Sequence, residues 1–274
     1  MYHRKKKYCH SCLLVLLMLL CIMLPESSGI FPAVAFAENG AQAEWLPDSY
    51  EIHLMLDSDL VLNKNHLLKQ EILNTFQADD DYKTFSLAYY ETLEQDFFEE
   101  GWINRIRLKY EENDENDFKL TYKKRYHIPE SDLYSAVHLA EADGFDLSGE
   151  RWEPEVDWGY TGMTLSFSLE ASILADTEET LADLDPAEGF AMMKDHMPSE
   201  EQNWKSGLWG INTFQATELA GPIFFNRYTG KYLGQKVRIE VWEVHDERDD
   251  SVYYLTSCHS KPINTKKPLL PESR

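Results

Sequence analysis

Ile103-Asn104-Arg105-Ile106-Arg107-Leu108-Lys109-Tyr110 and Phe118-Lys119-Leu120-Thr121-Tyr122-Lys123-Lys124-Arg125-Tyr126-His127 are two alternating runs separated by seven acidic and polar residues. Successive side chains of an extended chain point to opposite faces, so Arg105, Arg107 and Lys109 share one face while Ile106, Leu108 and Tyr110 share the other. In the second run Lys119, Lys123 and Arg125 oppose Phe118, Leu120 and Tyr122. With Lys124, these are seven basic residues within 21 positions of a chain whose formal net charge is −22. Two neighbouring antiparallel strands showing a polar face to water would give this pattern. So would a barrel with a charged, wet interior.

Working outward, further runs rich in β-branched or aromatic residues lie at Tyr50–Leu56, Thr84–Tyr90, Arg151–Trp158, Met163–Leu169, Lys236–Val244 and Val252–Cys258. Arg151, Glu153, Glu155 and Asp157 alternate with Trp152, Val156 and Trp158, a carboxylate row with one arginine. Arg238 and Glu240 share a face of a later strand. Separate basic and acidic rows, each backed by an apolar face, favour the barrel, because each unpaired ion buried dry costs several kcal/mol. In a water-filled lumen the cations can grip a polyanion and the carboxylates a divalent metal. Three helices are expected: one capped by Asn65 and carrying Leu68, Ile72 and Phe76, one capped by Ser131 and stopped by Gly144, and one opened by Asp185-Pro186 and running to His196. The expected fold is α+β, a closed eight-stranded antiparallel β tunnel over residues 49–261 with a few peripheral helices.

The N-terminus carries Arg4, Lys5, Lys6 and Lys7, then an apolar run from Leu13 to Leu24, Pro25, and Ala35-Phe36-Ala37. That order is a secretory signal, which predicts export with cleavage near Ala37. Twelve residues at ~1.5 Å each fall short of a ~30 Å hydrocarbon core, so a membrane anchor is not expected. Cleavage removes four basic residues and Glu26, moving the formal charge from −22 to −25. A protein this acidic repels nucleic acid and anionic membranes. Cys9, Cys12 and Cys21 leave with the signal, and Cys258 then has no intrachain disulfide partner. Residues 38–48 read as a polar leader and 262–274 as a flexible tail.

Tyr89-Tyr90-Glu91-Thr92, Gly101, Arg105-Ile106-Arg107 and Lys119-Leu120-Thr121-Tyr122-Lys123 occur in this order. The series resembles the CYTH domain of the triphosphate tunnel metalloenzymes, and the likeness extends over roughly residues 50–261. In that family a tyrosine-rich strand, a glycine, an Arg-x-Arg strand and a Leu-Thr-x-Lys strand follow one another. Arg151-x-Glu153-x-Glu155 is similar to its Arg-x-Glu-x-Glu strand, Arg227 to a later tunnel arginine, and Ile239-Glu240-Val241 to a further acidic strand. The resemblance implies that inorganic triphosphate, polyphosphate or an organic triphosphate is held by Arg105, Arg107, Lys119, Lys123, Arg125, Arg151 and Arg227. It also implies Mg²⁺ or Mn²⁺ held by Glu51, Glu91, Glu153, Glu155 and Glu240. The chain departs from the family where Glu-x-Glu-x-Lys becomes Glu51-Ile52-His53-Leu54-Met55, and where Thr256-Ser257-Cys258-His259 replaces a carboxylate-bearing strand. These losses imply a thinned metal site and slow metal-dependent triphosphatase turnover.

A Gly-x-x-x-x-Gly-Lys-Ser/Thr loop, a Gly-x-Ser-x-Gly elbow and a His-Glu-x-x-His pair are all absent from the sequence. The rival class is a secreted β-sandwich that binds or cleaves glycans, using Glu153, Glu155 and the tryptophans. Glycosidase carboxylates flank a sugar at ~5–10 Å, and two residues of rise put Glu153 and Glu155 ~7 Å apart, though on one strand. The Trp204–Asn212 segment reads as a connector or a surface loop at a tunnel mouth.

Overall fold

The computed structural model describes residues 49–110, 117–174, 181–246, 249 and 251–260. The signal, leader and tail expectations therefore lie outside the described residues. Nine strands form a closed barrel: β1 (Tyr50–Leu56), β2 (Lys83–Glu91), β3 (Trp102–Tyr110), β4 (Asp117–Ile128), β5 (Glu153–Trp158), β6 (Met163–Leu174), β7 (Glu218–Tyr232), β8 (Gln235–Asp246) and β9 (Ser251–Ser260). Around the wall they run β1-β5-β6-β4-β3-β2-β7-β8-β9, closing back onto β1. Seven short helices decorate it: α1 (Ser58–Val61), α2 (Gln70–Thr75), α3 (Asp96–Glu99), α4 (Leu133–Ala142), α5 (Pro186–His196), α6 (Ser199–Gln202) and α7 (Trp209–Phe214).

Two features correct the sequence expectation. The barrel has nine strands rather than eight, because β7 escapes the strand criteria. Its run contains Pro222 and two glycines, which normally demote a segment to an edge or a loop. Gly221 is required there: its φ is +128°, and a Cβ would lie 2.9 Å from the Leu87 carbonyl oxygen across a register shift in β2. The wall is also not wholly antiparallel, since β1 pairs in parallel with β5, Glu51 beside Asp157.

Helix ends follow local chemistry. Asp185 accepts a hydrogen bond from the Ala187 amide at 2.8 Å and Pro186 opens α5, as the sequence predicts. Elsewhere the cap shifts. Asp132, not Ser131, accepts from the Ser135 amide at the start of α4, because Ser131 already sits in a 3₁₀ turn with φ +67°. The Asn65 helix begins only at Gln70. Before it, the Asn63 side chain accepts from the Asn65 and Leu67 amides and Leu62 bridges Leu68, consuming the residues that would have made the first turn.

The largest apolar core lies outside the barrel, between its wall and the helices. Ile106, Leu108, Leu120 and Tyr122 point outward and meet Ala136, Val137 and Ala140 of α4, Met193 of α5 and Phe214 of α7. A second outer cluster joins Ile239, Val241 and Cys258 to Val61 and Leu73. Cys258 is buried there, and burial pushes its thiol up to about 11, the inert state its isolation implies. The Trp204–Asn212 segment is part of this outer packing: Trp204 stacks edge-on against Trp102 at 5.6 Å, and Trp209 against Phe97 at 5.2 Å. Trp102 has no solvent exposure and also contacts Phe145 and Trp152. Trp102→Ala should cost about 3–5 kcal/mol, the range for truncating a buried aromatic, read as a lower urea midpoint. A midpoint within error of wild type would mean that the outer layer does not hold the barrel. Among the described residues, no helix is long and apolar enough to cross a membrane.

Candidate functional site

With the apolar partners outside, alternation turns the charged rows inward. Cross-strand register places Arg105 opposite Thr121 and Arg107 opposite Lys119 on β3 and β4. On the far arc it places Glu51 beside Asp157 and His53 opposite His259. Cations therefore concentrate on β3 and β4, and carboxylates and histidines on β1, β5 and β9. Of the twelve residues expected at the site, Arg105, Arg107, Lys119, Lys123, Arg125, Arg227, Glu51, Glu155 and Glu240 lie on this inner face.

The other three are elsewhere. Glu91 closes β2 and its carboxylate accepts from the amides of Thr92, Phe97 and Phe98, capping the turn into α3. Burial nonetheless raises it to about 7, so it is a structural acid, not a metal ligand. Arg151 precedes β5 and pairs outside the barrel with Glu200 at 2.8 Å. Glu153, the first residue of β5, is exposed at the rim. Asp157, further along the same face of β5 than Glu153 and Glu155, lies within the barrel instead.

Three lumen cations are matched by carboxylates. Lys119 pairs with Glu170 at 2.8 Å, Lys123 with Asp157 at 2.8 Å, and Arg227 with Glu240 at 2.7 Å. Among the described residues, no carboxylate comes within ion-pairing distance of Arg105, Arg107 or Arg125. Arg105 donates to Thr121 Oγ1 at 3.2 Å, and the Nε atoms of Arg105 and Arg125 are buried without a partner. Burial, together with the neighbouring Arg105 and Arg227, pulls Arg107 down to about 10. Burial and like charge together outweigh the more distant Glu170 and Glu240, which act the other way.

The opposite arc holds five donors in two overlapping groups, Glu51–His53–His259 and Glu51–Glu155–Asp157, with ligand atoms within 4.8 Å of one another in each. His53 Nε2 stands 3.2 Å from Glu51 and 3.6 Å from Asp157. Burial opposes its charge, but the bonds to Asp157 and Glu51 outweigh it and raise His53 to about 9. Asp157 is held well below the usual carboxylate range despite burial, by Lys123 and His53. Its ion-pair distances are short, yet neither carboxylate oxygen receives a well-aligned hydrogen bond, so lone pairs remain for a cation. Burial and the neighbouring Glu51 and Asp157 push Glu155 up to about 7. The oxygen-rich subset Glu51, Glu155 and Asp157, with the His53 imidazole, fits Mg²⁺ or Mn²⁺, provided that His53 gives up its proton if it is to be a ligand.

Sequence reasoning did not assign His53, Asp157, Glu170 or His259 to the site. For His53 and Asp157 the usable signal was parity, since they share a strand face with Glu51 and Glu155; β6 and β9, which carry Glu170 and His259, hold no assigned residue and gave no such signal. His259 lies 3.4 Å from Glu240 and receives or gives a hydrogen bond at Ser257 Oγ, 2.8 Å away. His259 and Arg227 hold Glu240 down to about 2 against its burial.

The pH dependence follows. Glu240 has a depressed folded value, so its stabilisation is complete above 4.5 and is lost as pH falls toward about 2. His53 has a raised folded value, so its contribution is complete below 6.5 and is lost as pH rises through about 9. Glu155 and the buried Glu201, held up to about 7 and about 8, also favour the folded state fully only below 4.5 and lose that contribution as pH rises through those values. Denaturant midpoints measured against pH should fall on both limbs. Glu240→Gln should flatten only the acid limb, and an unchanged acid limb would reject the Arg227–Glu240–His259 assignment.

The glycan alternative loses its geometry here. Glu153 is at the rim while Glu155 is within, and Trp152, Trp204, Trp209 and Trp242 are committed to packing. No protein-family model matches the sequence, and no curated protein matches it. Among solved structures, the chain is similar to a putative adenylyl cyclase from Hippeastrum reported with a dominant triphosphatase activity (13% identity, 76% of this chain and 78% of that one, TM-score 0.42). It is also similar to a putative adenylate cyclase from Bacillus halodurans (10% identity, 78% and 80%, TM-score 0.42). The closed barrel described above rests on its own strand pairing.

Proposed function

We propose that this chain is a divergent, exported CYTH-like protein that binds triphosphate or inorganic polyphosphate inside its barrel, with Mg²⁺ or Mn²⁺, and turns it over slowly. The observation that carries this reading is the group Arg105, Arg107 and Arg125: inward-facing guanidiniums with no carboxylate partner, in a lumen where Lys119, Lys123 and Arg227 are each paired. Uncompensated cations at this depth are costly unless an anion completes them. Guanidiniums meet phosphate oxygens in bidentate fashion, and several in one lumen suit a ligand carrying several phosphates.

Glu51, Glu155 and Asp157, with His53 when neutral, would hold the cation. When bound, it would neutralise phosphate charge and orient a water. The protein's own part is to grip the phosphates from the β3–β4 side with Arg105, Arg107 and Lys123, and to keep the chain in line with the acidic arc. Binding of tripolyphosphate, measured as heat with and without Mn²⁺, should weaken steeply with added salt, since the Debye length is already ~10 Å at 0.1 M. Absence of binding at low salt in both conditions would reject the proposal.

A further inference from the structure

Within the wall β1 has a different neighbour on each side, β5 in parallel and β9 antiparallel. Its inward residues Glu51 and His53 therefore stand between two flanks of different chemistry. On the β5 side are the carboxylates of Glu155 and Asp157. On the β9 side is His259, directly opposite His53 in the antiparallel register. Residues so placed hold their Cβ atoms ~4.5–5.5 Å apart, close enough for two imidazoles to share one ion. The two rings meet edge-on with their centroids 4.3 Å apart.

Glu51, His53 and His259 each bring one ligand atom within 4.8 Å of the other two. His53 Nε2 is 3.2 Å from Glu51 Oε2. Two donors bound to one tetrahedral ion at ~2.0–2.1 Å stand ~3.3 Å apart, so this pair is already at the spacing that a shared metal requires. The same Nε2 is shielded from water and makes no well-aligned hydrogen bond. His259 Nε2 lies 2.8 Å from Ser257 Oγ and 3.4 Å from Glu240, outer contacts of the kind that orient a metal-bound imidazole. The side chains of Glu51, His53 and His259 keep 17%, 27% and 15% exposure, so the group is shielded but not sealed. Two nitrogens and one oxygen are a borderline donor set. Imidazole suits Zn²⁺ and its neighbours in the first transition row, whereas Mg²⁺ keeps to oxygen.

We infer that Glu51, His53 and His259 form a second metal seat, on the β9 flank, for a borderline divalent ion of the Zn²⁺ class. Three protein ligands leave a fourth position open to the lumen, the arrangement of zinc sites that accept water or a substrate oxygen. This seat is distinct from the oxygen-rich one of Glu51, Glu155 and Asp157. Glu51 belongs to both, so filling one weakens the other. The inference goes beyond the phosphate reading and stands without it, since no anion is needed to complete the donor set. The rival account treats the histidines as counter-ions only, His53 to Glu51 and Asp157 and His259 to Glu240.

The test uses the chain from Glu38 onward, the form that signal cleavage leaves, so that Cys9, Cys12 and Cys21 do not compete for metal. The metal-free protein is titrated with Zn²⁺, Co²⁺ or Mn²⁺ alone, without phosphate. Co²⁺ reports the geometry, because four-coordinate Co²⁺ absorbs visible light far more strongly than the six-coordinate aqua ion. Intense visible bands are expected from the unmodified protein. His259→Ala should abolish them and weaken Zn²⁺ at least about a hundredfold, beyond the ~10–100-fold typical of an outer contact. Mn²⁺ affinity should stay as it is in the unmodified protein. Glu155→Gln should do the reverse, weakening Mn²⁺ far more than Zn²⁺. Variants are compared because Zn²⁺ outranks Mn²⁺ at nearly any such site. Absence of the Co²⁺ bands in the unmodified protein would overturn the inference, and that reading needs no variant to fold. So would a folded His259→Ala protein that keeps its Zn²⁺ affinity or loses both ions alike. Tripolyphosphate calorimetry bears only on the phosphate reading, so either proposal can fail alone.

Discussion

An Arg107→Ala protein is expected to bind tripolyphosphate at least about a hundredfold more weakly than wild type, since two charge-assisted hydrogen bonds at ~1.5–3 kcal/mol each are removed. It should melt no lower. Most buried charges cannot be removed without a stability penalty, because a partner is left behind. Arg107 has no carboxylate partner to orphan, and its guanidinium is destabilised by burial and by Arg105 and Arg227. Its guanidinium lies over the Phe85 ring, 5.7 Å from the centroid. The control is Lys119→Ala, whose half-exposed pair with Glu170 lies at the mouth and should affect stability by no more than ~1 kcal/mol. Calorimetry with tripolyphosphate and a thermal melt decide it. Unchanged affinity in Arg107→Ala would show that the lumen arginines do not meet the ligand, whatever the melt shows.

The second large effect concerns the acidic arc. His53→Glu places a third carboxylate against Glu51 and Asp157, with Glu155 close by, and removes the imidazolium that now stands 3.2 Å and 3.6 Å from them. In chelator this variant should lose about 3–5 kcal/mol, the usual result of leaving buried like charges without a partner. Mn²⁺ at a hundred times its dissociation constant should return ~2.7 kcal/mol through linkage. Wild type should gain much less, because His53 and Lys123 already balance the carboxylates. The same substitution, joined to Met55→Lys on the inner face opposite Ser257, should also raise phosphate release. One well-placed charge-stabilising contact commonly carries ~10²–10³ in rate, and the double variant adds two charged groups to the lumen. Brisk Mg²⁺- or Mn²⁺-dependent hydrolysis by the unmodified protein would refute slow turnover. A His53→Glu protein that is stable in chelator and indifferent to Mn²⁺ would refute the metal seat.

The sequence alone determined the parts of this protein that depend on neighbours in the chain. Alternation over 103–110 and 118–127 placed Arg105, Arg107, Lys119 and Lys123 on common faces, because side chains of a strand alternate whatever it pairs with. Asp185-Pro186 placed the start of α5 for the same local reason. Tertiary structure decided what those faces meet. β7 was hidden by Pro222, Gly221 and Gly230; Gly221 stands against the β2 backbone at Leu87 and Ala88, and Gly230 against the Phe76–Ala78 segment, contacts that lie far away in the chain. The parallel pairing of β1 with β5 brings Glu51 beside Asp157 across more than a hundred residues, and no periodicity within either segment encodes that choice. Strand pairing then delivers Glu170 to Lys119 from β6 and Glu240 to Arg227 from β8, and brings Asp157 of β5 to Lys123 past β6, neutralising three of the six assigned cations on the inner face. Which arginines remain unpaired is a property of the closed wall, because ion pairing depends on distances across the lumen and strand periodicity specifies only the face.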